Sequence, residues 1–193
     1  MSNKPPSEVP QGAIRLNTDS QKLEFFAQDR WHEMATDSLN LGGGARGVIA
    51  GDNPASNVIQ YFTIPVQGNA IDFGDLSQNR FLGGSASSNT RGLFMGGDPG
   101  PSGRLDDIDF ITISTTGNAT DFGDLITAAD NPTAASNNTR GIIGGHYLSS
   151  SPHLSNIIES VTIQTTGNAV DYGDLFLARS QLGACSDSHG GLS

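Results

Sequence analysis

The sequence predicts an all-β protein, with a small amino-terminal β-meander followed by four-stranded repeats. Three observations carry that expectation. Gly-Asn-Ala recurs at 68–70, 117–119 and 167–169, so one unit of about 50 residues is written three times. Short runs rich in β-branched and aromatic residues alternate with clusters of Gly, Ser, Asn and Asp, as in brief strands joined by turns. With 25 glycines and only 35% hydrophobic residues, no stretch sustains the periodicity of a long helix.

The first unit spans residues 1–40. Within "QGAIRLNTDSQKLEFFAQDRWHEM" (11–34), apolar and polar residues alternate over 13–17 and again over 22–26. Thr18-Asp19-Ser20 and Ala27-Gln28-Asp29 supply turn chemistry, and residues 30–34 form the third strand. The alternation is expected to place Ile14, Leu16, Leu23, Phe25 and Trp31 on one face. Three short strands are marginal alone, so that face is expected to be an assembly interface, docking on a partner or on further copies. "LGGGARG" (41–47) lacks the Gly-Lys-Ser/Thr ending of a phosphate loop and reads as a flexible joint.

The repeats occupy 45–89, 90–138 and 139–187, and "SHGGLS" from Ser188 resembles the start of a fourth. Each opens with Arg-Gly and a compact apolar run (Val48-Ile49-Ala50, Leu93-Phe94-Met95, Ile142-Ile143), read as a buried strand ended by glycine. Loops of variable length (52–57, 98–107, 146–156) lead to a second strand over 58–64, 108–113 and 157–163. Gly-Asn then reads as a hairpin reversal. The third strand carries an aromatic (Phe73, Phe122, Tyr172) and a leucine (Leu76, Leu125, Leu175) as packing residues. A less regular fourth segment follows at 79–88, 129–136 and 179–186.

Recurrent charges raise chemical possibilities. Asp121-Phe122-Gly123 matches the magnesium-binding tripeptide of protein kinases, but the chain has neither their Gly-rich loop nor their catalytic loop. The pairs Asp72/Asp75, Asp121/Asp124 and Asp171/Asp174 lie three apart in loop-prone sequence of the kind that supplies calcium ligands, yet neither the EF-hand nor the nonapeptide spacing is present and two carboxylates are too few for its shell. Asp72, Asp121 and Asp171 are therefore expected to brace turns. Arg46, Arg91 and Arg140 recur at equivalent positions and are read as structural, each reaching a neighbouring repeat's aspartate rather than an acidic sugar. His32, His146, His153 and His189 show no ligand spacing, and Cys185 is read as a small buried hydrophobe. No cofactor, metal site or catalytic group is expected. A formal charge of −10 disfavours nucleic acid. The amino terminus has no export-type apolar region and no stretch approaches the length of a membrane span, so a soluble chain is expected.

Two resemblances add to this reading. The 50-residue period and the doublets Gly96-Gly97 and Gly144-Gly145 are similar to kelch-type propeller blades, although the first repeat has Ala50-Gly51 and the late-blade tryptophan is missing. Three blades fall short of the ~4 to 8 of a closed ring, so missing blades, partner chains or another surface must cover the sheet edges. "GAIRLNTDSQKLEFFAQDRW" resembles the meander of tail-fibre and other structural proteins of tailed bacteriophages, especially those of marine cyanobacteria. The "TTGNATDFGDL" and "SNNTRGIIGG" repeats resemble segments of the same virion proteins. The resemblance implies a non-enzymatic virion component of tail, neck or capsid, made in the host cytoplasm, anchored by its amino-terminal part with its repeats projecting outward. Fibres of that kind are often trimers, so it also implies a homo-oligomer. The alternative is a receptor binder holding host-surface glycans in the loops at 98–107 and 146–156. A sugar-processing propeller is the third possibility, disfavoured because those loops lack a concentration of His, Glu and Tyr.

Overall fold

Alternating, β-branched stretches separated by turn residues fold here as sixteen short strands. The computed structural model describes residues 9–17, 22–34, 46–101 and 103–186. Among these, all regular structure is β, and no helix is long and apolar enough to cross a membrane. The chain divides into two units, residues 1–40 and 41–193.

In the first unit, β1 (Ile14–Asn17), β2 (Lys22–Ala27) and β3 (Arg30–Glu33) form an antiparallel meander in chain order. Ile14 pairs with Phe25 and Leu16 with Leu23, which places those four on one face. Trp31 departs from expectation. The β2–β3 turn has two residues, Gln28 and Asp29 at φ 50° and 59°, so Ala27 pairs with Arg30 and Trp31 with Phe26. A three-residue turn over 27–29 would have set Trp31 opposite Phe25. One residue of register moves its side chain to the other face. The expected turn at Thr18-Asp19-Ser20 lies outside the described residues, as does 41–45 of the expected joint; Arg46 and Gly47 already belong to a strand.

In the second unit the first sheet contains β4 (Arg46–Ala50), β5 (Ser56–Thr63) and β6 (Ile71–Arg80). The second contains β7 (Gly84–Ser87), β8 (Arg91–Met95), β9 (Asp107–Thr112) and β10 (Thr120–Asp124). After the short β11 (Ala129–Asp130), the third contains β12 (Thr133–Ser136), β13 (Arg140–Gly144), β15 (Ser155–Thr162) and β16 (Val170–Arg179). The intervening β14 (Tyr147–Leu148) pairs with β11. Every pairing is antiparallel between spatial neighbours.

The sheets do not coincide with the sequence period. The segments read as the fourth strands of the first two repeats cross instead into the next sheet, where β7 pairs with β8 and β12 with β13. The chain turns at Leu82, Asn131 and Gln181, equivalent positions with φ 56°, 52° and 57°. The first two repeats therefore each contribute one strand to the repeat that follows, joining consecutive sheets covalently as well as by packing.

The apolar core lies between sheets. Ile59, Phe73 and Leu76 of the first repeat pack with Phe94 and Ile111 of the second. Leu93, Met95, Ile108, Phe122 and Leu125 of the second pack with Ile143, Val161, Ile163 and Ala169 of the third. At about 1.5–3 kcal/mol for each fully buried large apolar side chain, these two layers are the main apolar contribution to the stability of the array.

Candidate assembly interface

Two places in the molecule offer surfaces for association: one face of the meander and the faces through which the repeats meet. On the meander, Ile14, Leu16 and Leu23 are exposed and Phe25 is half-buried beside them, stacked on His32 at 5.3 Å. The opposite face is more firmly built. Trp31 packs on Phe26 with ring centres 5.3 Å apart, and the Arg15 guanidinium lies 4.2 Å over the indole. Glu24, largely buried, accepts from Asn17 Nδ2 at 2.9 Å and Arg15 Nε at 2.7 Å. Those bonds, Asn17's first and then Arg15's, hold its carboxyl below the usual glutamate range. Trp31 thus belongs to this internal cluster, while four of the five predicted interface residues share the open face.

The Gly-Asn-Ala segments have a role the hairpin reading missed. Reversal occurs earlier, where Val66, Thr115 and Thr165 donate their N–H to Thr63, Thr112 and Thr162. Gly-Asn-Ala then runs as an arm along the preceding repeat. Gly117 N–H donates to Phe73 O at 2.8 Å and Ala119 N–H to Asp75 O at 2.8 Å. One repeat on, Gly167 N–H donates to Phe122 O at 2.7 Å and Ala169 N–H to Asp124 O at 2.8 Å. The Asn118 and Asn168 side-chain oxygens accept from Asp75 and Asp124 N–H.

The receiving surface is a β-bulge at Asp-aromatic-Gly. Register slips between Asp121 and Gly123, where Phe122 is passed over, and the third strands of the other two repeats slip at the same place. The bulge aims Phe73 and Phe122 into the layer between sheets. Gly123 has φ 141°, and a Cβ there would stand 2.6 Å from the carbonyl carbon of Gly167. Glycine is needed both for the angle and for the close approach of the arm. Asp121 and Asp171 accept from Gly123 and Gly173 N–H at 3.2 and 3.1 Å, an Asx-type brace within the bulge. Asp72 occupies the equivalent exposed place in the first repeat.

The recurrent arginines reach the next repeat, but its carbonyl groups rather than its aspartates. Arg46 Nη1 donates to Ile113 O at 2.7 Å and Arg91 Nη1 to Ile163 O at 3.1 Å, while their guanidinium groups lie over Tyr61 and Phe110. Arg140, over Tyr172 at 5.6 Å, is exposed. On the crossing strands Ser136 Oγ donates to Ser87 O at 2.8 Å and Ser186 Oγ to Ser136 O at 2.6 Å. These equivalent serines line one cleft with Gly47 and Leu93, and Cys185, expected to be buried, lies exposed in the same cleft because residues 183–186 pair with no strand among the described residues.

Sequence reading missed the buried polar pairs at the two junctions. Arg80 Nη2 meets Asp109 Oδ2 at 2.7 Å, both side chains almost wholly buried, and Ser77 Oγ donates to the same oxygen at 2.8 Å. Burial pushes the Arg80 guanidinium down from its ordinary value, against the charges of Asp109 and Asp107. In the next junction Ala129 stands in place of Arg80 and Glu159 in place of Asp109, and His146 Nδ1 lies 3.4 Å from Glu159 Oε1. Ile126 N–H donates to Glu159 Oε2 at 2.8 Å. Burial raises the Glu159 carboxyl and lowers His146. Apart from an acidic residue at 109 and 159, no repeated type marked these positions: the first junction holds a hydrogen-bonded ion pair, the second a histidine beside a carboxyl group with no hydrogen bond between them.

The loops proposed to hold ligands are partly structural. His146 and Ser155 are buried, Tyr147 and Leu148 form β14, and Tyr147 stacks on His153 at 5.6 Å. Among the described residues no three His, Cys, Asp or Glu side chains come together as a metal-binding group. No protein-family model matches the chain, and no curated protein is significantly similar to it.

Proposed function

We propose that this chain is a non-enzymatic structural protein of a tailed-phage virion, anchored through its meander and projecting a propeller-like array of blades. The observation that carries the reading is the exposed apolar set Ile14, Leu16 and Leu23 on a three-stranded unit too small to spare it. Such a face is stabilised when a partner covers it, and the sequence resemblance supplies the kind of partner, a tail, neck or capsid protein. The array supports the same reading. Its repeats interlock through backbone bonds and apolar layers, as a rigid projecting element requires, and its acidic composition favours a solvated outer surface. The chemistry is association rather than catalysis.

Particles assembled with a chain lacking residues 1–40 should contain none of the truncated protein, while the full chain is incorporated. Normal incorporation of the truncated chain would refute the assignment.

One observation favours a second reading, in which the array also binds host glycans. Tyr147 and His153 stack nearly parallel, at 11°, in the longest variable loop, with Arg104 over the tyrosine. Arg104 is already paired with Asp130 at 2.9 Å, so the ligand this flat aromatic pair suits is the apolar face of a sugar ring rather than its acidic groups. Glycan arrays probed with the full chain and with Tyr147→Ala test it; binding unaffected by that substitution, or no binding, would dismiss this loop as the site.

A further inference from the structure

The two junctions inside the chain use the same set of contacts, and the array presents both halves of that set again at its ends. The head of each repeat offers the Gly-Asn-Ala arm and an isoleucine whose carbonyl takes the arginine of the repeat before. The tail offers the aromatic bulge and the backbone that receives the arm. At the first repeat the head is uncovered: Ile64 is 64% exposed, whereas its equivalents Ile113 and Ile163 are 9% and 0%. Ile49 is 54% exposed against 8% and 0% for Phe94 and Ile143. At the third repeat the tail is uncovered. Tyr172 is 55% exposed against 3% and 2% for Phe73 and Phe122. Gly173 keeps the bulge angle, φ 144°, with no atom within 4 Å of where a Cβ would be.

We propose that these two faces bind each other between two copies of this chain, head to tail, closing a ring of six sheets. This rests on the propeller reading above. The arm Gly68-Asn69-Ala70 of one copy lies along Tyr172, Gly173 and Asp174 of the other, and Arg140 donates to Ile64 O. The polar match extends further. Phe176 N–H holds the place of the Ser77 and Ile126 N–H groups, which donate to Asp109 and Glu159. The residue facing it is Gln60, whose amide oxygen accepts the same bond without burying a charge. Arg179 holds the place of Arg80. Both faces keep the apolar and hydrogen-bonding pattern of an internal junction rather than that of a polar cap.

The crossing strand points the same way. Residues 183–186 follow β16 as β7 follows β6, and Ser186 is already bonded to Ser136. Among the described residues β4 has no strand on its inner edge. By the register of β7 on β8, Ser186 of one copy pairs with Gly47 of the other. Closed rings of this type hold about 4 to 8 sheets. Among the described residues the repeats form three sheets of three or four strands, and two copies bring six together, a number in that range. The contact is heterologous, so each copy uses a different face at each junction.

Light scattering on the full chain should give the mass of two 20.1 kDa chains. Gly173→Glu, which blocks the tail, and Ile64→Glu, which blocks the head, should each give monomers with the circular dichroism of a folded chain and a cooperative melt, lowered for Gly173→Glu by the strain at φ 144°. Mixed at about 100 μM, the two variants should recover a two-chain species, because one retains a working head and the other a working tail. A one-chain mass for the parent, or a three-chain mass of the kind a fibre-like trimer would give, would overturn the proposal. So would dimers surviving both substitutions, or a mixture that stays monomeric. None of these outcomes bears on incorporation into particles, so the anchoring role stands or falls separately.

Discussion

Replacing Asp109 with alanine removes the carboxylate that Arg80 faces at 2.7 Å, in a place where the two side chains are 1% and 2% exposed. The guanidinium stays behind, charged and out of water. Breaking one partner out of a buried pair costs about 3–5 kcal/mol. The lower end applies here, because Arg80 Nη1 keeps the carbonyl groups of Phe94, Gly96 and Asp107 at 3.1–3.4 Å. Ser77 loses its acceptor for both hydroxyl and N–H, which offsets part of that relief. The expected loss is therefore about 3 kcal/mol, or roughly 6–12 °C in melting temperature for a chain of this size. Urea unfolding of Asp109→Ala, Arg80→Met and the paired Arg80→Met/Asp109→Leu chain completes the test. The double substitution should lie within about 1 kcal/mol of the parent, since an apolar pair carries no desolvation cost. A single-variant loss below about 1 kcal/mol, or a double variant as unstable as the sum of the singles, would refute the assignment of this pair as a desolvated junction contact.

Gly123→Ala should destabilise by about 2 kcal/mol or more, combining a strained φ with collision against the Gly167 arm. Gly173→Ala, at the same φ but facing open space, should cost less when unfolding is followed in protein dilute enough to be unassociated. Ser136→Ala removes a donor to Ser87 O and an acceptor for Ser87 N–H, an expected loss of about 1 kcal/mol in chemical denaturation, with Ser87→Ala milder. His146 is held neutral by burial, so its folded pKa lies below the unfolded one; that contribution to stability is present above about 6.5 and is lost as pH falls below it. Glu159, raised by burial, acts in the opposite sense, its contribution being lost as pH rises above the ordinary glutamate range. Between pH 7.5 and 5 the parent's melting temperature should drop relative to that of His146→Gln, in which only the opposing Glu159 contribution remains; parallel curves would count against a buried neutral histidine.

Local chemistry determined much of this protein. The period, the all-β class and most strand positions were legible because they depend on alternation, turn residues and recurrence along the chain. Phe73, Phe122, Leu76 and Leu125 were legible as packing residues for the same reason, whereas Tyr172, expected with them, is exposed and Leu175 only half-buried, because no repeat among the described residues packs on them. Tertiary structure decided whatever depends on register and on which strand meets which. A turn one residue shorter than its sequence suggested carried Trp31 to the other face of the meander. The Gly-, Ala- and Ser-rich segments at 84–87 and 133–136 have no apolar periodicity to bind them to either sheet, and only backbone pairing assigned them to the next one. The Gly-Asn-Ala arm, the arginine-to-carbonyl bonds and the Arg80–Asp109 pair join residues tens of positions apart. Their partners are set by the stacking of one repeat on another, a distance that no local propensity spans.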